Sequence, residues 1–152
     1  MTGLPMHVRE LEEWIPHRPP MVWIDEVVTA SAAEGVCRVV LRSDALYMRA
    51  NGVVRPSSMI EWIAQAYAFV RAAQSKLHLI SVDLKPKRAF LVAVTNARFE
   101  YLTKPEQLTG VKVLHVRVRN ERDFGPLSLV DGCVLTEAGE VLATAKIKVF
   151  AE

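Results

Sequence analysis

The stretch SSMIEWIAQAYAFVRAAQSK, residues 57–76, holds the longest helical pattern in the sequence. Its apolar side chains recur at spacings of three and four residues and cover several adjacent faces of a helix. A helix that is apolar over so wide an arc is buried on most sides. The pattern therefore predicts one long buried helix, whose core-facing residues are Met59, Ile60, Ile63, Ala64, Tyr67, Ala68, Val70 and Ala72.

The segments on either side of this helix are mainly extended. Runs rich in β-branched residues are separated by turn formers such as Gly125-Pro126 and Ala138-Gly139, and the last two runs form a predicted hairpin. A short helix is predicted at 8–14. The predicted strands are 21–28, 36–41, 89–95, 97–102, 111–119, 127–136 and 141–150. One buried helix with many antiparallel strands predicts an α+β domain over residues 1–152, with the sheet packed on the helix.

The composition is that of an ordinary globular domain. The chain has 152 residues and a net charge of +2, which gives no argument for nucleic acid or membrane binding. No apolar run approaches the roughly 20 residues that span a bilayer. The N-terminus lacks the pattern of a secretory signal. Cys37 and Cys133 are far apart, which fits neither a zinc site nor a disulfide scaffold and favours a cytoplasmic protein.

Three segments in order resemble the 3-hydroxyacyl-acyl-carrier-protein dehydratases of the hotdog fold. They are IPHRPPMVWIDEVV at 15–28, MIEWIAQAYAFV at 59–70 and NARFEYLTKPEQL at 96–108. The double-proline form HRPPM is more similar to the subgroup associated with aryl-polyene lipid pathways. The resemblance implies a curved antiparallel sheet wrapped around the central helix. It also implies a dimer with acyl tunnels along its interface, and a role in fatty-acid or polyene-type lipid biosynthesis.

The resemblance implies a chemistry for the central helix. Dehydration of a 3-hydroxyacyl thioester needs a base, an acid and donors for the carbonyl oxygen. Glu61 matches the family's helical carboxylate, and burial at a dimer interface is expected to raise its pKa so that it acts as the acid. The spacing of Ser58 and Glu61 also fits a capping box, in which Glu61 only caps the helix. Gln65, one turn further, either orients Glu61 or is an ordinary polar helix residue.

The family's catalytic histidine has no counterpart here, because the region YMRANGVVRPSSM at 47–59 contains no histidine. His17, in the family-like N-terminal segment, is either the substitute base or a structural histidine where the chain enters the sheet. Pro56 stands on or next to the position of a family glycine and has no N–H. An oxyanion hole is then expected to use the amides of Ser57 or Ser58. Arg55 is a further candidate, which either binds substrate or is solvated. The same two alternatives apply to Arg49.

These features leave three functions open. The first is a dehydratase (a lyase) that uses Glu61 and His17. The second is a weakly active or non-catalytic subunit in a heterodimer with a complete hotdog dehydratase, and the third is an acyl thioesterase. No bound cofactor or metal is expected, since the acyl group is carried on the phosphopantetheine of an acyl-carrier protein or on coenzyme A. Lys85, Lys87 and Arg88 form a basic cluster that docks the acidic carrier protein or is a solvated loop. A homodimer or a heterodimer with a second hotdog subunit is expected.

Overall fold

The predicted central helix is present as α1, Pro56–Lys76, in a computed structural model that describes residues 3–81 and 88–152. It begins one residue earlier than predicted because Pro56 occupies the first helical position, where its missing N–H costs no intrahelical bond. Most of its apolar side chains are buried, and Met59, Trp62 and Ile63 are fully so. The prediction of one long buried helix is confirmed.

A seven-stranded antiparallel sheet wraps around α1, in the order β1-β2-β3-β5-β6-β7-β4. This arrangement confirms the predicted α+β hotdog architecture. Short 3₁₀ helices lie at Val8–Trp14, Glu100–Leu102 and Pro105–Leu108. Within the described ranges, no helix is long and apolar enough to cross a membrane. The strands are β1 (Met6–His7), β2 (Glu26–Ala30), β3 (Glu34–Val40), β4 (Ala89–Arg98), β5 (Val113–Phe124), β6 (Leu127–Thr136) and β7 (Val141–Ala151).

Two strand glycines allow the helix to approach the sheet closely. A Cβ on Gly132 would lie 2.2 Å from the Ile63 side chain, and one on Gly35 would lie 2.7 Å from Val70. Real Cβ contacts are never so short, so any larger residue at these positions forces the helix and the sheet apart. The position of α1, and of the side chains it carries, therefore depends on these glycines.

Three strand predictions differ from the structure. Residues 97–102 are not a separate strand, because β4 continues through a bulge near Asn96 (φ 51°) to Arg98 and the chain then turns into a 3₁₀ helix. Strand β5 extends five residues beyond the predicted end, to a tight turn at Gly125-Pro126. Residues 21–25 precede β2 and are not in a strand. Of the predicted basic cluster, Lys85 and Lys87 lie outside the described residues, and Arg88 forms an ion pair with Glu152.

The two edges of the sheet differ in length and character. Strand β1 has two residues, whereas β4 has ten and pairs with β7 on one side only. Leu91 and Val94 lie opposite Val149 and Ile147 and so point to the helix side of the sheet, yet they are 42% and 39% exposed. Strand β4 therefore presents an uncovered apolar edge.

Candidate active site

Glu61 and His17 come together on the side of α1 that faces the N-terminal segment. His17 Nε2 lies 3.6 Å from Glu61 Oε1, and the two side chains are 26% and 31% exposed. The sequence separation of 44 residues is bridged because the segment that carries His17 is bound to the helix, where Gln65 contacts the backbone of Met21 and Trp23. Among the described residues, His17 Nδ1 is buried and has no hydrogen-bond partner. The imidazole thus directs one nitrogen towards the carboxylate and keeps the other away from protein partners.

Gln65 holds this arrangement in place. It is fully buried, and its Nε2 donates to Glu61 Oε1 at 2.9 Å and to the Met21 carbonyl at 2.8 Å. Its Oε1 accepts from the Trp23 amide at 2.8 Å. The side-chain amide therefore uses both of its donor hydrogens and its acceptor oxygen. Gln65 orients Glu61 and also fixes the segment that carries His17.

The pKa of Glu61 is lowered in the single chain. Burial raises this pKa, but the neighbouring His17 and the hydrogen bond from Gln65 lower it by more. In the chain by itself, His17 and Gln65 favour the charged form and outweigh burial, and the rise expected from burial at a dimer interface stays a prediction. Glu61 is a carboxylate at neutral pH and acts here as an acceptor.

The start of α1 differs from the capping pattern. Arg55 is the N-cap residue and makes no side-chain capping bond, so the interpretation of Ser58 and Glu61 as a capping box is wrong. The Ser58 amide donates to the Arg55 carbonyl at 3.0 Å, and the Ser58 side chain is buried against the Tyr47 carbonyl at 3.5 Å. Ser57 is exposed, and its N–H lies in the first turn, where no intrahelical acceptor exists. Of the two predicted oxyanion donors, the Ser57 amide is the accessible one.

The predicted arginines lie at the surface. Arg49 and Arg55 are both exposed, and the Arg55 backbone amide donates to the Tyr47 carbonyl at 3.2 Å. Their roles in substrate binding remain predictions, because the described contacts of these residues do not connect them to Glu61 or His17.

An apolar cavity of about 240 Å³ lies along the same side of α1. Its wall includes Pro16, which precedes His17, and Ala68, which lies seven residues after Glu61 on the same helix face. Seven helical residues correspond to about 10 Å along the axis. Arg71 and Asp123 line the far part, where their side chains are 3.7 Å apart. Glu61 and His17 do not line this cavity themselves, but residues next to His17 and further along the Glu61 face of α1 do.

Sequence reasoning missed the residues that support the site from the N-terminal segment. Met21 and Trp23 act through backbone groups, and backbone contacts leave no pattern in residue types. Tyr47 packs between Trp23 and Trp62, with ring centroids 5.5 and 4.9 Å apart. Its hydroxyl accepts from the Arg42 amide and donates to the Val40 carbonyl. The aromatic residues were a visible signal, but nothing in their spacing related them to Glu61.

Comparison with known proteins gives one family match over most of the chain. Residues 9–152 match the family model described as ApeP dehydratase, ApeP-like. The chain is also 27% identical over 147 residues to the 3-hydroxyacyl-[acyl-carrier-protein] dehydratase FabZ of Rickettsia massiliae. This alignment covers 93% of the present chain and 95% of the relative.

Solved structures share the fold. The dehydratase heterocomplex ApeI:P from Xenorhabdus doucetiae superposes with a TM-score of 0.75 at 18% identity, covering 98% of this chain and 91% of that one. The E. coli PaaI protein gives a TM-score of 0.56 at 10% identity, covering 82% and 80%. A hypothetical thioesterase with coenzyme A from Streptococcus pneumoniae gives 0.56 at 11% identity, covering 84% of each chain. At these identities the likeness establishes the fold alone.

Proposed function

We propose, from the premise that this chain belongs to the ApeP-like family of dehydratases, that it is the acid–base subunit of a 3-hydroxyacyl thioester dehydratase. The observation that carries the proposal is the contact of His17 Nε2 with Glu61 Oε1 at 3.6 Å. Two titratable groups this close together can act as base and acid on two neighbouring atoms of one bound substrate. The adjoining apolar cavity supports an acyl chain as the part of the substrate bound beyond them.

The proposed reaction uses the pair in two steps. The Glu61 carboxylate takes the proton from the carbon next to the thioester carbonyl, and the electron pair of that C–H bond forms the new C=C bond. The bond from the adjacent carbon to the hydroxyl breaks, and protonated His17 gives its proton to the leaving oxygen, so that water departs. The lowered pKa of Glu61 supports its role as the base in this direction. The accessible Ser57 amide, near the positive end of the helix dipole, stabilises the carbonyl oxygen.

The working form is a dimer built on the apolar edge of β4. A ten-residue edge strand with exposed leucine and valine needs a partner to cover it. A second hotdog subunit supplies such an edge, and the shared fold with a dehydratase heterocomplex supports this kind of partner. The acyl group is delivered on an acyl-carrier protein, which is the carrier used by the Rickettsia dehydratase that this chain resembles.

One observation favours a second function, that of a non-catalytic partner subunit. The stretch before α1 contains no histidine, and Pro56 offers no amide donor there. If both catalytic groups come from another chain, this chain contributes only the interface and the wall of the substrate cavity.

The test is an assay of enoyl product formation from a 3-hydroxyacyl-carrier protein. The purified chain is assayed alone and mixed with a second hotdog subunit from the same genome. Glu61→Gln and His17→Asn are each expected to lower the rate by about 10²–10⁴-fold in whichever sample is active, the usual contribution of a positioned acid or base. Matched controls are Glu137→Gln, in an exposed turn, and His115→Asn, on the outer face of the sheet.

The outcomes separate the three functions. A mixture that keeps its full rate with Glu61→Gln and His17→Asn overturns the proposal in favour of the non-catalytic subunit. Release of free thiol without enoyl product overturns it in favour of a thioesterase. Thermal unfolding of each variant is recorded alongside, so that a loss of rate with an unchanged melting temperature is assigned to chemistry.

A further inference from the structure

We propose that the ion pair of Arg71 and Asp123 limits the length of the acyl group that this protein accepts. The proposal rests on the proposed function and deepens it, because it names which acyl chains the site takes. The pair lies in the far part of the 240 Å³ cavity, where Arg71 Nη2 is 3.7 Å from Asp123 Oδ2. We call these two residues the end pair.

The cavity beside the end pair is lined by small apolar side chains. Ala68 and Ala72 lie one turn apart on α1, and Ala89 and Ala151 are cross-strand partners in β4 and β7. Side chains of this size leave a space between the helix and the sheet that larger residues would fill. An apolar space of this kind favours the methylene groups of an acyl chain over a polar ligand.

The end pair lies at a defined distance from the proposed chemistry. Arg71 follows Glu61 by ten residues on the same helix, which corresponds to about 15 Å along the axis. Ala68 lies between them and lines the cavity. A short acyl chain held at Glu61 therefore ends in the part lined by alanine, whereas a longer chain meets the end pair.

The end pair is held in place by its neighbours. Asp123 Oδ1 accepts from Asn120 Nδ2 at 2.9 Å and from Ser128 Oγ at 2.6 Å. Asn120 Nδ2 also donates to the Tyr67 hydroxyl at 3.1 Å, and the Arg71 guanidinium lies 6.0 Å from the centre of the Tyr67 ring. These contacts form a closed ring that joins α1 to the end of β5. An arriving acyl chain therefore has to break several contacts to displace the pair.

Both members of the end pair are charged at neutral pH. Burial raises the pKa of Asp123, but hydrogen bonds from Ser128 and Asn120 and the charge of Arg71 lower it by more. Arginine stays protonated in proteins. An alkyl chain pressed against the pair removes water from two charges and offers no hydrogen bond in return, which is costly. The end pair therefore favours acyl chains that end before they reach it.

The test measures affinity as a function of chain length. Saturated acyl chains that lengthen by two carbons at a time are joined to pantetheine through an amide, which cannot react. Their binding to the chain mixed with the second hotdog subunit is followed by isothermal titration calorimetry. Affinity is expected to rise about fourfold for each methylene that enters the cavity, and to stop rising at the length that meets the end pair. We call this length the length limit.

Two variants of the cavity are expected to move the length limit in opposite directions. Arg71→Leu/Asp123→Leu replaces the ion pair by apolar residues, which is often neutral for stability, and should move the limit at least two carbons longer. Ala68→Leu fills part of the cavity and should move it to shorter chains. The matched control is Glu26→Leu/Arg38→Leu, which removes an ion pair of 3.5 Å outside the cavity and should leave the limit unchanged.

The outcomes separate this inference from the proposed function. A length limit that is the same in both cavity variants overturns the inference, and so does a control that shifts as far as the end-pair variant. Binding that does not depend on chain length in the unmodified protein overturns it too. If the limit moves as expected but no enoyl product forms in the dehydratase assay, the inference is supported and the proposed function fails. Enoyl formation with one length profile in every variant gives the reverse result.

Discussion

At the scale of single residues, the pKa of Glu61 is set by its neighbours more than by burial. His17 and Gln65 both donate towards its carboxylate, and together they outweigh the desolvation that burial imposes. The charged form of Glu61 is therefore favoured in the folded chain. This interaction stabilises the fold above the ordinary glutamate pKa of about 4.3, and the stabilisation is lost as the pH falls through the lower folded value.

This ordering of effects predicts the titration of Glu61. In the unmodified chain, the pKa of its carboxyl group is expected to lie below the ordinary glutamate value. His17→Asn removes two of the lowering causes and is expected to move the pKa upwards. Carbon-detected NMR of the side-chain carboxyl group, followed from pH 7 downwards, measures both values. An identical midpoint in the two proteins would show that His17 does not act on Glu61, and His115→Asn serves as the control.

At the scale of structural elements, α1 carries two buried glutamines with different tasks. Gln65 binds the backbone of residues 21–23 and the carboxylate of Glu61, whereas Gln74 donates to the Ser31 carbonyl at 2.6 Å. Both tie the helix to the chain around it. Only the first lies beside the proposed catalytic pair.

Comparing the two glutamines separates an effect on stability from an effect on the position of Glu61. Gln65→Leu and Gln74→Leu are each expected to lower the free energy of unfolding by about 0.5–1.5 kcal/mol for each hydrogen bond lost, because each removes bonds from a buried side-chain amide to part-buried backbone groups. Only Gln65→Leu is expected also to lower kcat and to shift the acidic limb of its pH profile. Chemical denaturation gives the stability, and the dehydratase assay gives the rate. A normal pH profile in Gln65→Leu would show that its role is structural.

The helices and strands that have a local sequence pattern could be predicted from the sequence. Alternation of apolar residues in β6 and the turn at Gly139 gave the final hairpin correctly, and the apolar arc gave α1. The bulge at Asn96 depends on pairing with β7 and has no local signature, so the end of β4 was mispredicted. Glu61 was identified by resemblance. Its contact with His17 was one of two open alternatives, because it depends on the path of residues 15–24 along the helix.

At the scale of the whole molecule, one edge of the sheet is a long strand, β4, with exposed apolar side chains. Leu91 and Val94 point to the helix side of β4, yet both are exposed. The other edge, β1, is only two residues long and offers little to a partner. This asymmetry favours association through β4 over association through β1.

If the dimer forms through the edge of β4, a charge placed there is expected to prevent dimerisation. Val94→Asp places a carboxylate at the centre of the proposed interface, where desolvation is costly, and is expected to convert dimers to monomers. Leu46→Asp is the matched control, because Leu46 is 55% exposed in the loop before α1 and lies outside β4. Light scattering after size-exclusion chromatography measures the mass of each variant. A Val94→Asp protein that remains dimeric would place the interface elsewhere.

The tryptophans surround the site and give it an optical signal of its own. Trp14 lines the 240 Å³ cavity, Trp23 gives its backbone amide to Gln65, and Trp62 follows Glu61 in the chain. These are all three tryptophans of the sequence. Their emission therefore comes almost entirely from the neighbourhood of the proposed chemistry. Arrival of an acyl group can be timed by stopped-flow fluorescence on the unlabelled protein, and replacing Trp14 by Phe assigns the part of the signal that comes from the cavity.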